Sequence, residues 1–114
     1  MKLNHLNLTV TDIKATRELL ARHFGMTHGG GSDKSIAFMR DDNGMVLTLF
    51  RSPEPVRYPM TFHIGFIQPS AARVDEINAA LKADGYDVPP PSRQHGSWPF
   101  YFEAPGGFVI EVLS

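Results

Sequence analysis

The feature that most constrains this fold is an internal repeat, because two copies of one supersecondary unit pack by the same rules. Residues 3–8 align with residues 61–66, so that His5 and His63 take the same place in the two halves. Near the end of each half, residues 42–50 align with residues 105–113. Each half reads as a strand, a helix and then two or three strands. The sequence therefore predicts a duplicated βαβββ unit of the α+β class.

A proline-rich connector separates the two halves. Residues 52–59 hold three prolines, which favour a stiff, extended segment near the midpoint of the chain. We therefore predict a single domain over 1–114, made of repeat 1 (1–51), the connector and repeat 2 (60–114).

Periodicity and capping residues place the elements. Apolar residues recur at steps of three and four over 12–24 and 70–84, which predicts two helices. Their expected starts and stops are Thr11 or Asp12 with Gly25, and Ser70 with Gly85. Strands are predicted over 3–10, 35–40, 45–50, 60–68, 98–103 and 107–113, with a weaker candidate over 86–88. The run Gly29-Gly30-Gly31 is interpreted as a flexible hairpin connection.

Composition excludes several classes of function. Eleven basic and twelve acidic residues give a net charge of −1, which disfavours nucleic acid and anionic membrane surfaces as partners. The absence of cysteine excludes disulfides and thiolate metal sites. No apolar run has the roughly 20 residues of a membrane span, and the N-terminus lacks a signal-peptide core. We expect a cytoplasmic protein that binds a small molecule.

The strand faces turned away from the helices carry the candidate chemistry. Alternation in a strand puts His5 and Asn7 opposite the apolar face of the first strand. By the same alternation, His63 and Glu111 lie opposite the apolar faces of their own strands. Two imidazoles and a carboxylate suit Fe(II), Mn(II) or Zn(II). Thr48 occupies the position in repeat 1 that Glu111 holds in repeat 2, and its hydroxyl is a poor ligand for these ions. Three protein ligands are therefore expected.

The chain resembles the vicinal oxygen chelate superfamily, which includes glyoxalase I, bleomycin-resistance proteins, fosfomycin-resistance thiol transferases and extradiol dioxygenases. The resemblance rests on the repeat and on the segments 4–6, 62–64 and 104–107, followed by Glu111. It implies paired modules that form open barrel-like sheets. It also implies a homodimer with sites at the subunit interface, where His5 of one chain meets His63 and Glu111 of its partner.

The branches of this superfamily differ at residues that can be read here. Glyoxalase I carries a fourth ligand, a glutamate, at the position of Thr48. The extradiol dioxygenase signature matches the order of His95, Tyr101 and Glu111, although the spacing from His95 to Tyr101 is short. Arg93 also departs from that signature, which expects a small or β-branched residue there.

The resemblance favours dioxygenase-type chemistry on a catechol-like substrate, with Fe(II) or Mn(II) as the preferred ion and Zn(II) or Ni(II) as alternatives. In this interpretation Tyr101 donates a hydrogen bond to the substrate and His95 exchanges a proton. The predicted pocket residues are Asn7, Thr48, Arg93 and Trp98. The alternatives are a glyoxalase-type lyase, a fosfomycin-type thiol transferase and a metal-free protein that binds a small molecule. Tyr101 and Trp98 are alternatively packing or interface aromatics.

Overall fold

The computed structural model describes all 114 residues and contains seven strands and two helices. In chain order these are β1 (His5–Val10), α1 (Ile13–Phe24), β2 (Thr27–Ser32), β3 (Ile36–Arg40), β4 (Val46–Arg51), β5 (His63–Ile67), α2 (Ala71–Ala83), β6 (Phe100–Glu103) and β7 (Val109–Leu113). The chain forms two compact units, Met1–Tyr58 with Ala104–Phe108, and Pro59–Glu103 with Val109–Ser114. The predicted α+β class and the repeated modules with open sheets are confirmed.

The first unit is a four-stranded sheet covered on one face by α1. Its strand order is β1-β4-β3-β2, with β1 parallel to β4 and the other neighbours antiparallel. Alternate residues of β1 and β4 and the apolar stripe of α1 form the core, in which Leu8, Val10, Leu20 and Leu49 are fully buried. The opposite face of β1 stays exposed, and it carries His5 and Asn7.

The edge of β1 is closed by residues that are distant in sequence. The Tyr58 hydroxyl donates to the Thr9 carbonyl and accepts from the Thr9 N–H, at 2.8 Å in both cases. The Thr11 N–H donates to the Gly106 carbonyl in the turn that joins β6 to β7. In that turn Gly107 has φ 90°, and a Cβ there would lie 2.5 Å from the Val56 carbonyl oxygen, so only glycine fits.

The second unit is a three-stranded sheet of order β5-β7-β6 that packs against α2. Strand β5 runs parallel to β7, and β6 runs antiparallel to it. The face toward α2 is apolar, with Phe100, Phe102, Ile110 and Val112 buried. The opposite face carries the more exposed residues of each strand, among them His63, Tyr101 and Glu111.

Two local predictions differ from the structure. Residues 27–32, which include the glycine run interpreted as a flexible connection, form the edge strand β2. Every residue of β2 is exposed, so the sequence has no apolar alternation to reveal a strand. Residues 86–88 form no strand, although Val88 is buried. The three prolines that follow lack the N–H groups that a strand ladder needs.

The helix ends follow the predicted capping residues. Asp12 caps α1 and accepts from the Ala15 N–H at 3.0 Å, and Gly25 ends that helix in the left-handed conformation with φ 65°. Ser70 caps α2 in the same way, and Gly85 follows its last residues with φ 91°. Neither helix has the length and apolar character that a bilayer-spanning segment requires.

We expect Asp12→Ala to lower the free energy of unfolding by about 1 kcal/mol, because the Ala15 N–H loses its acceptor. Asp12→Asn keeps an acceptor at the same position and should stay close to the wild type. Urea unfolding followed by circular dichroism measures both variants. Equal losses in the two variants would contradict a capping role for this side chain.

Candidate metal centre

The two parallel strand pairs repeat the same register. In the first unit His5 is paired with Val46, and Asn7 with Thr48. In the second unit His63 is paired with Val109, and Gly65 with Glu111. Each histidine therefore lies two residues before the position that faces Thr48 or Glu111. The structure confirms that Thr48 and Glu111 occupy equivalent positions in the two repeats.

A histidine and a carboxylate meet in the second unit. His63 Nε2 lies 3.2 Å from Glu111 Oε2, and the two side chains are 39% and 15% exposed. Gly65 lies beside the carboxylate on β5, where a Cβ would make an ordinary van der Waals contact with Glu111 Oε2 at 3.6 Å. A larger side chain at this position would compete for the space beside the carboxylate. The pair is thus accessible from solvent, with the carboxylate more enclosed than the imidazole.

Tyr101 binds the other oxygen of the carboxylate. Its hydroxyl donates to Glu111 Oε1 at 2.7 Å, because Tyr101 and Glu111 are direct partners across β6 and β7. Its ring meets the His63 imidazole edge to face, with centroids 5.6 Å apart. The hydrogen bond to Glu111, partial burial and the nearby negative charge all raise the pKa of the Tyr101 phenol. Oε1 is therefore held by the phenol, and Oε2 is left to face His63.

The His63 ring has an acceptor at each nitrogen. Nδ1 lies 3.3 Å from the Thr61 carbonyl oxygen, and Nε2 faces the Glu111 carboxylate. Neither oxygen can donate, so the contact at Nδ1 requires a proton on that nitrogen. A neutral ring carries one proton and satisfies one of these two contacts, so the other contact calls for a second proton or a metal cation. Thr61 was not predicted from the sequence, since a backbone carbonyl can accept a hydrogen bond whatever the side chain is.

The His5 ring has a comparable arrangement in the first unit. Its Nδ1 lies 2.8 Å from Asn4 Oδ1, which places the proton on Nδ1 and leaves Nε2 free. From the sequence, Asn4 was recognised only as part of a family motif, and its contact with His5 was not predicted. The neighbouring Asn7 is exposed, while Thr48 beside it on β4 is only 6% exposed.

The donor atoms of the pair fit a divalent ion. Two ligand atoms about 2.1 Å from one ion stand roughly 3.0 to 3.4 Å apart, for bond angles between octahedral and tetrahedral. The separation of 3.2 Å between His63 Nε2 and Glu111 Oε2 lies in this range. No three His, Asp or Glu side chains of one chain form a group that could hold a metal ion. The spacing of the pair is therefore compatible with two ligand atoms of one ion.

The remaining predicted residues lie on a short hairpin before β6. Gln94 and Ser97 pair through their backbones, and His95 and Gly96 between them both have positive φ, 49° and 80°. Positive φ at both central residues is typical of a type I′ turn. The His95 ring is exposed at the tip, and no hydrogen bond joins it to the His63–Glu111 pair.

Trp98 and Arg93 lie together on the same hairpin. The Trp98 indole donates to Asp75 of α2 at 2.7 Å, on the face of the sheet that α2 covers. The Arg93 guanidinium stacks over the indole, 5.4 Å from the ring centroid. By strand alternation, Tyr101 lies on the other face. The structure thus gives Trp98 a partner, Asp75, that the sequence analysis did not consider, and the proposed pocket contact of both residues stays a prediction.

The chain matches the sequence profile of the Glyoxalase/Bleomycin resistance protein/Dioxygenase superfamily over residues 2–112. A solved structure described as a possible glyoxalase from Bacillus cereus is 51% identical, with a TM-score of 0.92 and coverage of 100% of this chain and 99% of that one. Lactoylglutathione lyase from Agrobacterium tumefaciens is 22% identical, with a TM-score of 0.78 and coverage of 98% and 92%. Oxidase ChaP-H2 is 23% identical, with a TM-score of 0.81 and coverage of 100% and 93%. No curated protein matches the sequence.

The raised pKa of Tyr101 predicts a titration that depends on Glu111. We expect the phenol to ionise above its ordinary pKa of 10.0, and Glu111→Gln to lower that pKa by removing the charged acceptor. The measurement is tyrosinate absorbance against pH. The Tyr101→Phe variant gives the signal of Tyr58 and Tyr86 alone, which is subtracted to obtain the titration of Tyr101. An unchanged Tyr101 titration in Glu111→Gln would contradict the coupling.

The same shift has a consequence for stability. The folded state holds the phenolic proton more tightly than the unfolded chain does. The contribution of Tyr101 to the free energy of unfolding is therefore complete below the unfolded pKa of about 10. It is lost as the pH rises through the higher folded pKa. Alkaline unfolding should therefore show a smaller pH dependence in Tyr101→Phe than in the wild type.

Proposed function

The chain belongs to the Glyoxalase/Bleomycin resistance protein/Dioxygenase superfamily, and on that premise we propose that it is a metal-dependent enzyme. Its proposed substrate is a small molecule with two adjacent oxygen atoms, and its proposed chemistry is of the dioxygenase type on a catechol-like compound. The observation that carries this proposal is the His63–Glu111 pair, whose facing atoms lie 3.2 Å apart, a separation that suits two ligands of one divalent ion.

The proposed ligands are His5 of one protomer together with His63 and Glu111 of its partner in a homodimer. A third ligand from a second chain agrees with the lack of a three-residue group in one chain. His5 suits this role because its Nδ1 is occupied by Asn4 and its Nε2 is free. Fe(II) or Mn(II) is the preferred ion for two imidazoles and one carboxylate, with Zn(II) or Ni(II) as alternatives.

A bound divalent ion supplies Lewis acidity and a template for two neighbouring substrate oxygens. Tyr101 holds Glu111 Oε1, so the carboxylate presents Oε2 in one orientation. The phenol is protonated at neutral pH, and the raised pKa extends that state, with its hydrogen bond, to higher pH. Tyr101 is therefore a positioning residue in this arrangement, since its single proton is already donated to Glu111. Histidine side chains exchange protons near neutral pH, and His95 is the proposed group for that role.

A glyoxalase-type lyase is the second candidate. It is favoured by the 51% identical structure described as a possible glyoxalase. It is disfavoured by Thr48, which stands where Glu111 stands in the other repeat and supplies no carboxylate. An enediolate-forming reaction needs a base beside the reacting carbon, and Thr48 cannot act as one.

Metal binding is the first test of the proposal. We expect about one divalent ion per chain in protein purified without chelator, measured by plasma mass spectrometry. Each of His5→Ala, His63→Ala and Glu111→Gln removes one ligand. These variants should weaken Mn(II) binding by more than about 100-fold, beyond what the loss of a ligand's hydrogen-bond partner costs.

His28→Ala is the matched control, because His28 is an exposed histidine in β2. It should bind Mn(II) as the wild type does. Wild-type protein that takes up no Fe(II), Mn(II), Ni(II) or Zn(II) would overturn the metal-dependent proposal and favour a protein that binds its small molecule without metal.

The shared site predicts complementation between inactive variants. In a hybrid dimer of His5→Ala and His63→Ala chains, one site loses both histidines and the other keeps all three ligands. Hybrids isolated through two different affinity tags should therefore bind roughly half the wild-type amount of metal. Neither parental homodimer should bind. Hybrids that also bind none would contradict a site built from two chains.

Catalysis separates the two candidate reactions. We expect protein loaded anaerobically with Fe(II) to consume oxygen with a catechol, and Glu111→Gln to abolish this consumption. A parallel assay with methylglyoxal and glutathione tests the lyase. Turnover there without oxygen uptake from any catechol would refute the dioxygenase proposal and establish the second candidate.

A further inference from the structure

His5 is held by the side chain of its immediate neighbour. Asn4 Oδ1 lies 2.8 Å from His5 Nδ1, at the point where β1 begins. We infer that Asn4 is a positioning residue that selects the Nδ1–H tautomer of His5 and so presents Nε2 for ligation. The inference rests on the proposed function for its consequence, metal affinity, while the tautomer itself is a property of the metal-free chain.

The backbone keeps Asn4 in place for this role. The Asn4 carbonyl accepts from the Val46 N–H at 2.9 Å, which extends the contact of β1 with β4 by one residue. The main chain of Asn4 is thus anchored, and only its side-chain torsions are free to vary. With the main chain anchored, few torsions separate the amide oxygen from the position 2.8 Å from Nδ1, where it accepts from Nδ1–H.

The two histidines differ in the origin of their acceptor. His63 Nδ1 faces the Thr61 backbone carbonyl at 3.3 Å, whereas His5 Nδ1 faces an amide side chain at the shorter distance. A backbone carbonyl survives any substitution at position 61, but the acceptor of His5 disappears when Asn4 is replaced. A single substitution can therefore remove the acceptor that fixes the tautomer of His5, but not the backbone acceptor of His63.

The tautomer matters because only an unprotonated nitrogen binds a metal. The nitrogen that carries the proton is set by the hydrogen bond that the other nitrogen makes. Without an acceptor at Nδ1, the His5 ring can rotate and place its proton on Nε2. Loss of such a partner typically costs 10- to 100-fold in metal affinity.

The test measures two quantities in the full chain, the tautomer of His5 and the affinity for Mn(II). Long-range proton–nitrogen NMR of metal-free protein at about pH 8.5, where a free imidazole is neutral, reports which His5 nitrogen carries the proton. Titration with Mn(II) reports affinity. The variants are Asn4→Ala, which removes the acceptor, and Asn4→Asp, which retains one. Asn43→Ala, the same change in an exposed turn, is the control.

We expect the proton on Nδ1 in the wild type, in Asn4→Asp and in the control, and a mixture of the Nδ1–H and Nε2–H tautomers in Asn4→Ala. Asn4→Ala should bind Mn(II) about 10- to 100-fold more weakly, while Asn4→Asp and Asn43→Ala keep their affinity. A wild-type proton on Nε2, or unchanged Mn(II) affinity in Asn4→Ala, would overturn the inference. A wild type with the Nδ1 proton that binds no Mn(II) would support the tautomer assignment and refute the proposed metal site instead.

Discussion

The arrangement at the His63 ring governs the chemistry of the second unit. Both ring nitrogens face oxygen atoms that only accept, the Thr61 carbonyl and the Glu111 carboxylate. One of the two carboxylate oxygens is already satisfied by Tyr101. A ring with an unprotonated Nε2 would direct a lone pair at Oε2, so this contact requires either a proton or a cation at Nε2. The Tyr101 hydroxyl and the His63 ring give the Glu111 carboxylate two partners in an otherwise apolar strand, where an unpaired charge is costly.

The repeat explains how the chain produces this arrangement once and not twice. Both units pair their first strand in parallel with their last, in the same register. Glu111 is paired with Gly65, whereas Thr48 and Asn7 at the equivalent positions are short neutral groups. The same strand register therefore carries a carboxylate in one copy and a neutral hydroxyl in the other. The difference lies entirely in side-chain chemistry.

Much of the fold was predictable from sequence because it depends on local rules. Asp12, Ser70 and Gly25 cap the helices as their residue types require, and strand alternation placed His63 and Glu111 on one face. Strand β2 was not predictable, since an exposed edge strand has no apolar pattern. The contacts of Thr61, Asp75 and Asn4 were also missed. They depend on backbone carbonyls, on a loop that folds against a helix, or on the rotamer of one amide. None of these features produces a repeating pattern of residue types in the sequence.

The turn Ala104–Phe108 has a consequence for how such a chain could arise by gene duplication. It lies within the second repeat by sequence, yet it belongs to the first compact unit. There its Gly106 carbonyl accepts from Thr11, and Phe108 packs edge to face against Tyr58. A fragment cut at the connector would leave the Thr11 N–H without its acceptor and would expose the Tyr58 ring. The first compact unit therefore includes a turn that comes from the second repeat in sequence.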